Sequence, residues 1–208
     1  MVPMSRPEQV IYLPGIRGEV AFWEPVATRV TGVPSSTRLR YPWASGSGPI
    51  AEASGFDDLA DAVAAHMDKP TALVAQSLGG IVAVLAASRR PELVTHLVLV
   101  ATSGGVRTDD LGVFDWLNPF FEAYPHVPRW VGAPLDLSAQ LRQLTMPALL
   151  LWGDADPISP LSIGERLLTL LPSSRLEVMA GGEHDLAVRH AEAVAEAVSK
   201  HLRDDPDR

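Results

Sequence analysis

Residues 71–87 read Thr-Ala-Leu-Val-Ala-Gln-Ser-Leu-Gly-Gly-Ile-Val-Ala-Val-Leu-Ala-Ala, and no other stretch restricts the fold as tightly. Residues 71–75 form a short apolar run of the kind found in strands buried on both faces. A helical stretch follows from Leu78, so the chain must pass from strand to helix at Ser77. A reversal within about two residues brings backbones closer together than side chains allow. Small residues meet that need: Ala75 and Gly79 flank Ser77 at −2 and +2, and Gly80 follows. The turn lifts the Ser77 hydroxyl clear of the sheet. It also aims the free N–H groups and positive end of the helix at whatever that hydroxyl meets. A serine N-cap before an ordinary helix has a similar local pattern, so the rest of the chain must decide between the two.

Five more runs have strand character. Residues 9–13 are an apolar run stopped by Pro14-Gly15, 37–41 are halted by Pro42, and 94–100 are the most strand-like stretch in the chain. Residues 148–152 and 175–179 complete the set. Helical spacing appears over 19–30 (Phe22, Trp23, Val26, Val30), over 160–171 and over 185–202. It appears also over 56–67, where Asp57 and Asp58 occupy the first turn favoured by the helix dipole. A Gly-, Ser- and Pro-rich loop covers 42–56. Strands alternating with helices at this spacing predict an α/β protein: a doubly wound, mostly parallel sheet of about six strands with helices on both faces.

The strand–Ser77–helix unit resembles the nucleophile elbow of the α/β-hydrolases, and the resemblance extends along nearly the whole chain. The family's Gly-x-Ser-x-Gly stands here with Ala75 at the first glycine, a change that the size of alanine tolerates. Fuller members begin with two strands ahead of the one at 9–13, and there is no room for them here, so the resemblance implies a shortened core. It also implies a strand order of second-first-third-fourth-fifth-sixth. The ligand site then lies at the carboxyl edge, where the order reverses between the 9–13 and 71–75 strands.

The family's triad runs Ser, then Asp or Glu, then His, each following a strand. The 148–152 strand leads into Gly153-Asp154-Ala155-Asp156-Pro157-Ile158-Ser159-Pro160, which resembles the family's Gly-x-x-Asp-x-x-x-Pro segment. That resemblance implies Asp156 as the acid. Asp154 is the competing carboxylate, and an Asp-Pro turn or helix cap would have the same appearance. The last strand ends in Ala180-Gly181-Gly182-Glu183-His184-Asp185, where the family places its base. His66 and His201 fall near helix ends, His190 within the final helix, His126 in the mid-chain insertion and His96 at the start of its strand. Only His184 follows a carboxyl end. The implied oxyanion hole uses the backbone N–H groups of Leu78 and of Ile16, on the 13–18 loop. Many relatives have His-Gly where this chain has Pro14-Gly15, so any bracing by that histidine is lost. Arg17 could grip a charged substrate, but a solvated loop arginine is the favoured reading.

Composition narrows the partners. A net charge of −8 with no basic run argues against nucleic acid and anionic membranes. The absence of cysteine excludes disulfides, thiolate metal sites and a cysteine nucleophile. No apolar stretch approaches a membrane span, and residues 1–8 carry no apolar signal-peptide core, so a cytoplasmic protein is expected. The length of 208 residues suits one domain over 1–208, with 104–145 including a short lid. That segment holds Phe114, Trp116, Phe120, Phe121, Tyr124 and Trp130, expected to divide about evenly between lining a pocket and gluing the insert to the core. The expected activity is hydrolysis of carboxylic esters or thioesters of a small, largely apolar substrate through an acyl-enzyme on Ser77. No metal or organic cofactor is required. Lactone or C–C bond cleavage by the same triad, and small-molecule binding without turnover, stay open as alternatives.

Overall fold

The structure is a computed structural model and describes residues 6–46, 48, 50–113 and 115–203. Its strands are β1 (Gln9–Leu13), β2 (Ser35–Arg38), β3 (Thr71–Gln76), β4 (Val94–Val100), β5 (Ala148–Gly153) and β6 (Ser174–Met179). They form one parallel sheet in the order β2-β1-β3-β4-β5-β6. Successive side chains alternate between two buried layers. Ile11, Leu73 and Leu97 enter one, while Val10, Val74 and Val98 enter the other. Burial on both faces is why the inner strands β1, β3, β4 and β5 read as largely apolar runs.

The first layer is covered by α2 (Phe56–Ala65), α3 (Leu78–Arg89), α5 (Ser138–Leu141) and α6 (Leu161–Leu170). The second is covered by α1 (Glu24–Ala27), α7 (Leu186–Arg189) and α8 (Ala191–Arg203). The 104–145 stretch contributes α4 (Leu117–Ala123), a 3₁₀ turn at Arg129–Gly132 and α5. Among the described residues, no helix is long and apolar enough to cross a membrane.

Three boundaries differ from the sequence expectation. β2 is Ser35–Arg38 rather than 37–41, because its register pairs Gln9 with Ser35 and Tyr12 with Arg38. Leu39 donates its N–H to Tyr12 O at 3.0 Å just past the strand end, and Leu39 and Tyr41 are both buried, so their apolar character reports core packing beyond β2. The 19–30 helix is instead a 3₁₀ turn (Val20–Trp23) followed by the single turn of α1. Pro25 lacks an N–H and fits only in the first turn of a helix, so α1 has to start beside it. The 185–202 helix is broken at His190 into α7 and α8. The sequence carries no Gly or Pro at that point to announce the break.

Candidate active site

Ser77 joins β3 to α3 with φ +52° and ψ −121°, a conformation that side chains rarely adopt. Its surroundings hold it there. The Ser77 N–H donates to Val100 O at 3.1 Å, and the Thr102 hydroxyl donates to Ser77 O. A Cβ on Gly79 would lie 2.6 Å from Leu13 O and 2.7 Å from Pro14 O, and one on Gly80 would collide with the Thr102 side chain. Both glycines are thus required by close approach. Ala75 is fully buried.

β5 and β6 bring the next two groups together. The Asp156 side chain is wholly buried and that of His184 is 19% exposed. His184 Nδ1 lies 2.8 Å from Asp156 Oδ2. Asp156 Oδ1 accepts the N–H groups of Ile158 at 2.8 Å and Ser159 at 2.9 Å, so one carboxylate both closes its own turn and meets the imidazole. The competing carboxylate is engaged elsewhere: Asp154 Oδ1 accepts the Gly181 N–H at 2.6 Å. The two loops touch through backbone. Ala155 N–H donates to Gly182 O at 3.0 Å, and a Cβ on Gly153 would fall 2.0 Å from that same oxygen. Gln76, buried and adjacent to Ser77, donates from Nε2 to His184 O at 3.3 Å. This ties the histidine loop to the end of β3.

Ile16, Ser77 and Leu78 all line one pocket of about 290 Å³. Ile81, Val131 and Ile163 supply part of its apolar wall, and the exposed Arg107, Asp109 and Asp115 supply polar rim. His184 is outside the wall. Arg107 pairs with Asp109, and Arg166 on α6 makes a bidentate pair with Asp110, 2.8 Å at each oxygen. The Arg166 hydrogen bonds hold the Asp110 carboxyl down at about 2. Among the described residues, no group of three or more His, Cys, Asp or Glu is placed to hold a metal ion.

The aromatic residues of 104–145 do not divide evenly. Trp116 lines the pocket, while Phe120, Phe121, Tyr124 and Trp130 do not, and Phe114 lies outside the described residues. The four pack against other rings and the core instead: Phe120 stacks on Tyr124 at 4.8 Å, and Trp130 meets Phe56 at 5.3 Å and Trp43 at 5.7 Å. Aromatic pairs gain from edge-to-face and offset contacts that an aliphatic wall does not offer. Arg17 is exposed and bonded to Glu19, and its guanidinium lies 5.5 Å from the Tyr124 ring centre.

A family model described as TAP-like protein, one of the α/β-hydrolase models, matches residues 129–206. The bromoperoxidase of Bacillus anthracis superposes with a TM-score of 0.79 at 17% identity, covering 95% of this chain and 92% of that one. The chain has the α/β-hydrolase fold. Similarity in sequence points to the same fold. A pimeloyl-[acyl-carrier protein] methyl ester esterase of Neisseria meningitidis serogroup A is 30% identical over 196 aligned positions, covering 72% of this chain and 62% of that protein. An uncharacterized hydrolase of Bacillus subtilis, YugF, is 26% identical over 182 positions, covering 65% of this chain and 66% of that protein. The chain thus spans less than two thirds of the length of either relative.

Within this α/β-hydrolase fold, Gln76, Thr102, Asp154 and Trp43 hold the site in ways that sequence reasoning missed. Trp43 Nε1–H donates to Ile16 O at 2.7 Å. The signal available for it was slight: one large aromatic near the start of a loop rich in Gly, Ser and Pro.

Proposed function

We propose that the protein is a serine hydrolase that cleaves carboxylic esters or thioesters of a small, largely apolar substrate. The observation that carries this reading is the 2.8 Å contact between Asp156 Oδ2 and His184 Nδ1, on loops tied through Gln76 to the strained Ser77 turn. With Nδ1–H donated to Asp156, the lone pair of His184 is on Nε2 and is the acceptor for the Ser77 hydroxyl proton. Ser77 Oγ then bonds to the substrate carbonyl carbon, and the carbonyl π electrons move onto oxygen. The N–H groups of Leu78 and Ile16 receive that oxyanion. When the tetrahedral centre collapses, His184 returns its proton to the departing alcohol or thiol. Water repeats the sequence and frees the acid.

The esterase named among the relatives supports an ester as the substrate class. The apolar wall formed by Ile81, Val131 and Ile163 supports an apolar acyl or alcohol part. Residues 104–145 act as a short lid on a single domain. A fluorophosphonate probe tests the reading directly: Ser77 should become labelled, and a folded protein left unlabelled at Ser77 would sink it. A series of p-nitrophenyl esters then reads the acyl preference.

A further inference from the structure

We propose that Trp43 is a positioning residue for the Ile16 oxyanion donor, an inference that rests on the serine-hydrolase reading. The loop that carries Ile16 cannot brace itself at residue 14, because proline has no N–H to donate. The loop closes one turn of its own, Gly18 N–H to Gly15 O at 2.9 Å, and a further brace comes from outside. Trp43 Nε1–H donates to Ile16 O at 2.7 Å, fixing the peptide that follows Ile16. On the other side, Gly15 is pressed against the elbow: a Cβ there would lie 2.4 Å from Gln76 Oε1 and 3.4 Å from Ser77 Cβ. Held at both neighbouring points, the Ile16 N–H has its direction set relative to Ser77.

The indole is itself seated. Its ring lies 5.1 Å from that of buried Tyr41 and 5.7 Å, edge-on, from that of Trp130. Trp130 belongs to the connection between β4 and β5, so the proposed lid packs on the residue that holds the donor. A donor in an oxyanion hole acts only when its hydrogen points at the developing charge, and a shift of about 1 Å costs on the order of 10²-fold. Trp43 therefore acts on kcat without touching the substrate.

Trp43→Phe keeps a ring in place and removes the N–H. With p-nitrophenyl butyrate, kcat should fall roughly 10- to 100-fold while KM stays within about 3-fold. A kcat within about 2-fold of the unaltered protein, or a loss confined to KM, overturns the proposal. Ser77→Ala is run beside it: if Ser77→Ala is inactive and Trp43→Phe is unimpaired, the positioning role fails and the serine reading stands. Hydrolysis that survives Ser77→Ala sinks the serine reading and this proposal with it. The unaltered chain supplies a measurement that does not depend on the variant folding. On adding phenylboronic acid, which forms a tetrahedral adduct on a catalytic serine, the Ile16 amide and the Trp43 indole N–H resonances should shift together. An indole signal indifferent to an adduct that moves Ile16 overturns the proposal.

Discussion

The Asp154 carboxylate accepts the Gly181 N–H at 2.6 Å, in a turn where Gly181 has φ +69°. Two residues later, Asp156 reaches the His184 imidazole in the same loop. One acid thus fixes the path of the backbone and the other the orientation of the ring. Asp156→Asn should lower kcat by roughly 10³- to 10⁴-fold, since an amide there favours the wrong imidazole tautomer. Asp154→Asn should stay within a few-fold, because its amide oxygen can still accept from Gly181. Steady-state kinetics on both folded variants decide the matter, and the reverse ranking would refute the assignment.

Ser77→Ala and His184→Ala should each remove at least about 10⁴-fold of kcat, and the double variant should lose little more. In the proposed mechanism the two groups share one proton transfer, so either deletion abolishes it. Losses that multiply in the double variant would show that the two act independently.

The Ser77 backbone conformation carries a cost in folding stability. A non-glycine residue at φ +52° stores on the order of 1–3 kcal/mol, and glycine gives back part of that by enlarging unfolded-state freedom. Ser77→Gly should therefore be inactive and about 1 kcal/mol more stable than Ser77→Ala. Urea denaturation of the pair measures the difference, and equal midpoints would mean that the turn is unstrained.

Gly153→Ala should damage both stability and activity. The new methyl would lie 2.0 Å from Gly182 O, where the partner is backbone and cannot rotate away. Forcing the two loops apart should cost about 1–3 kcal/mol and separate Asp156 from His184. Thermal unfolding together with kcat reads both effects. A stable variant with full activity would mean that the loops can part without consequence.

Far from the site, His201 is fully buried beside His96 and Arg175. Burial first, then those two neighbours, push its pKa down from 6.5 to about 3. Between these two values the unfolded chain binds a proton that the folded chain refuses, so stability should fall as pH drops from about 6.5 towards 3. The His201 share of that slope is up to about 1.4 kcal/mol per pH unit. His201→Gln should flatten the acid limb by that share, as followed by denaturant unfolding at a series of pH values. An unchanged slope would mean that His201 charges freely in the fold.

Much of this protein was legible in its sequence because the signals are local. β1 and β4 begin and end where their apolar runs do, since a strand buried on two faces has no polar alternation to blur its limits. The Ser77 turn was legible for a similar reason: small residues follow it where the chain is crowded, by the Leu13 and Pro14 backbone at Gly79 and by the Thr102 side chain at Gly80. β2 was misplaced because apolarity reports burial, and Leu39 and Tyr41 are buried beyond its end.

Tertiary structure decided what depends on segments meeting from a distance. Asp154 and Asp156 share one strand end and one turn, and only the path of the 180–184 loop determines which carboxylate meets His184, 28 residues from Asp156. Trp43 was unremarkable in its loop until the fold laid its indole against Ile16 O, 27 residues away. The aliphatic pocket wall, with most of the neighbouring aromatics turned to one another, arises the same way. Periodicity and residue size record what each segment needs for its own conformation and burial. Which side chain then completes another's hydrogen bond is set by how the loops cross at the sheet edge, and that crossing has no local trace.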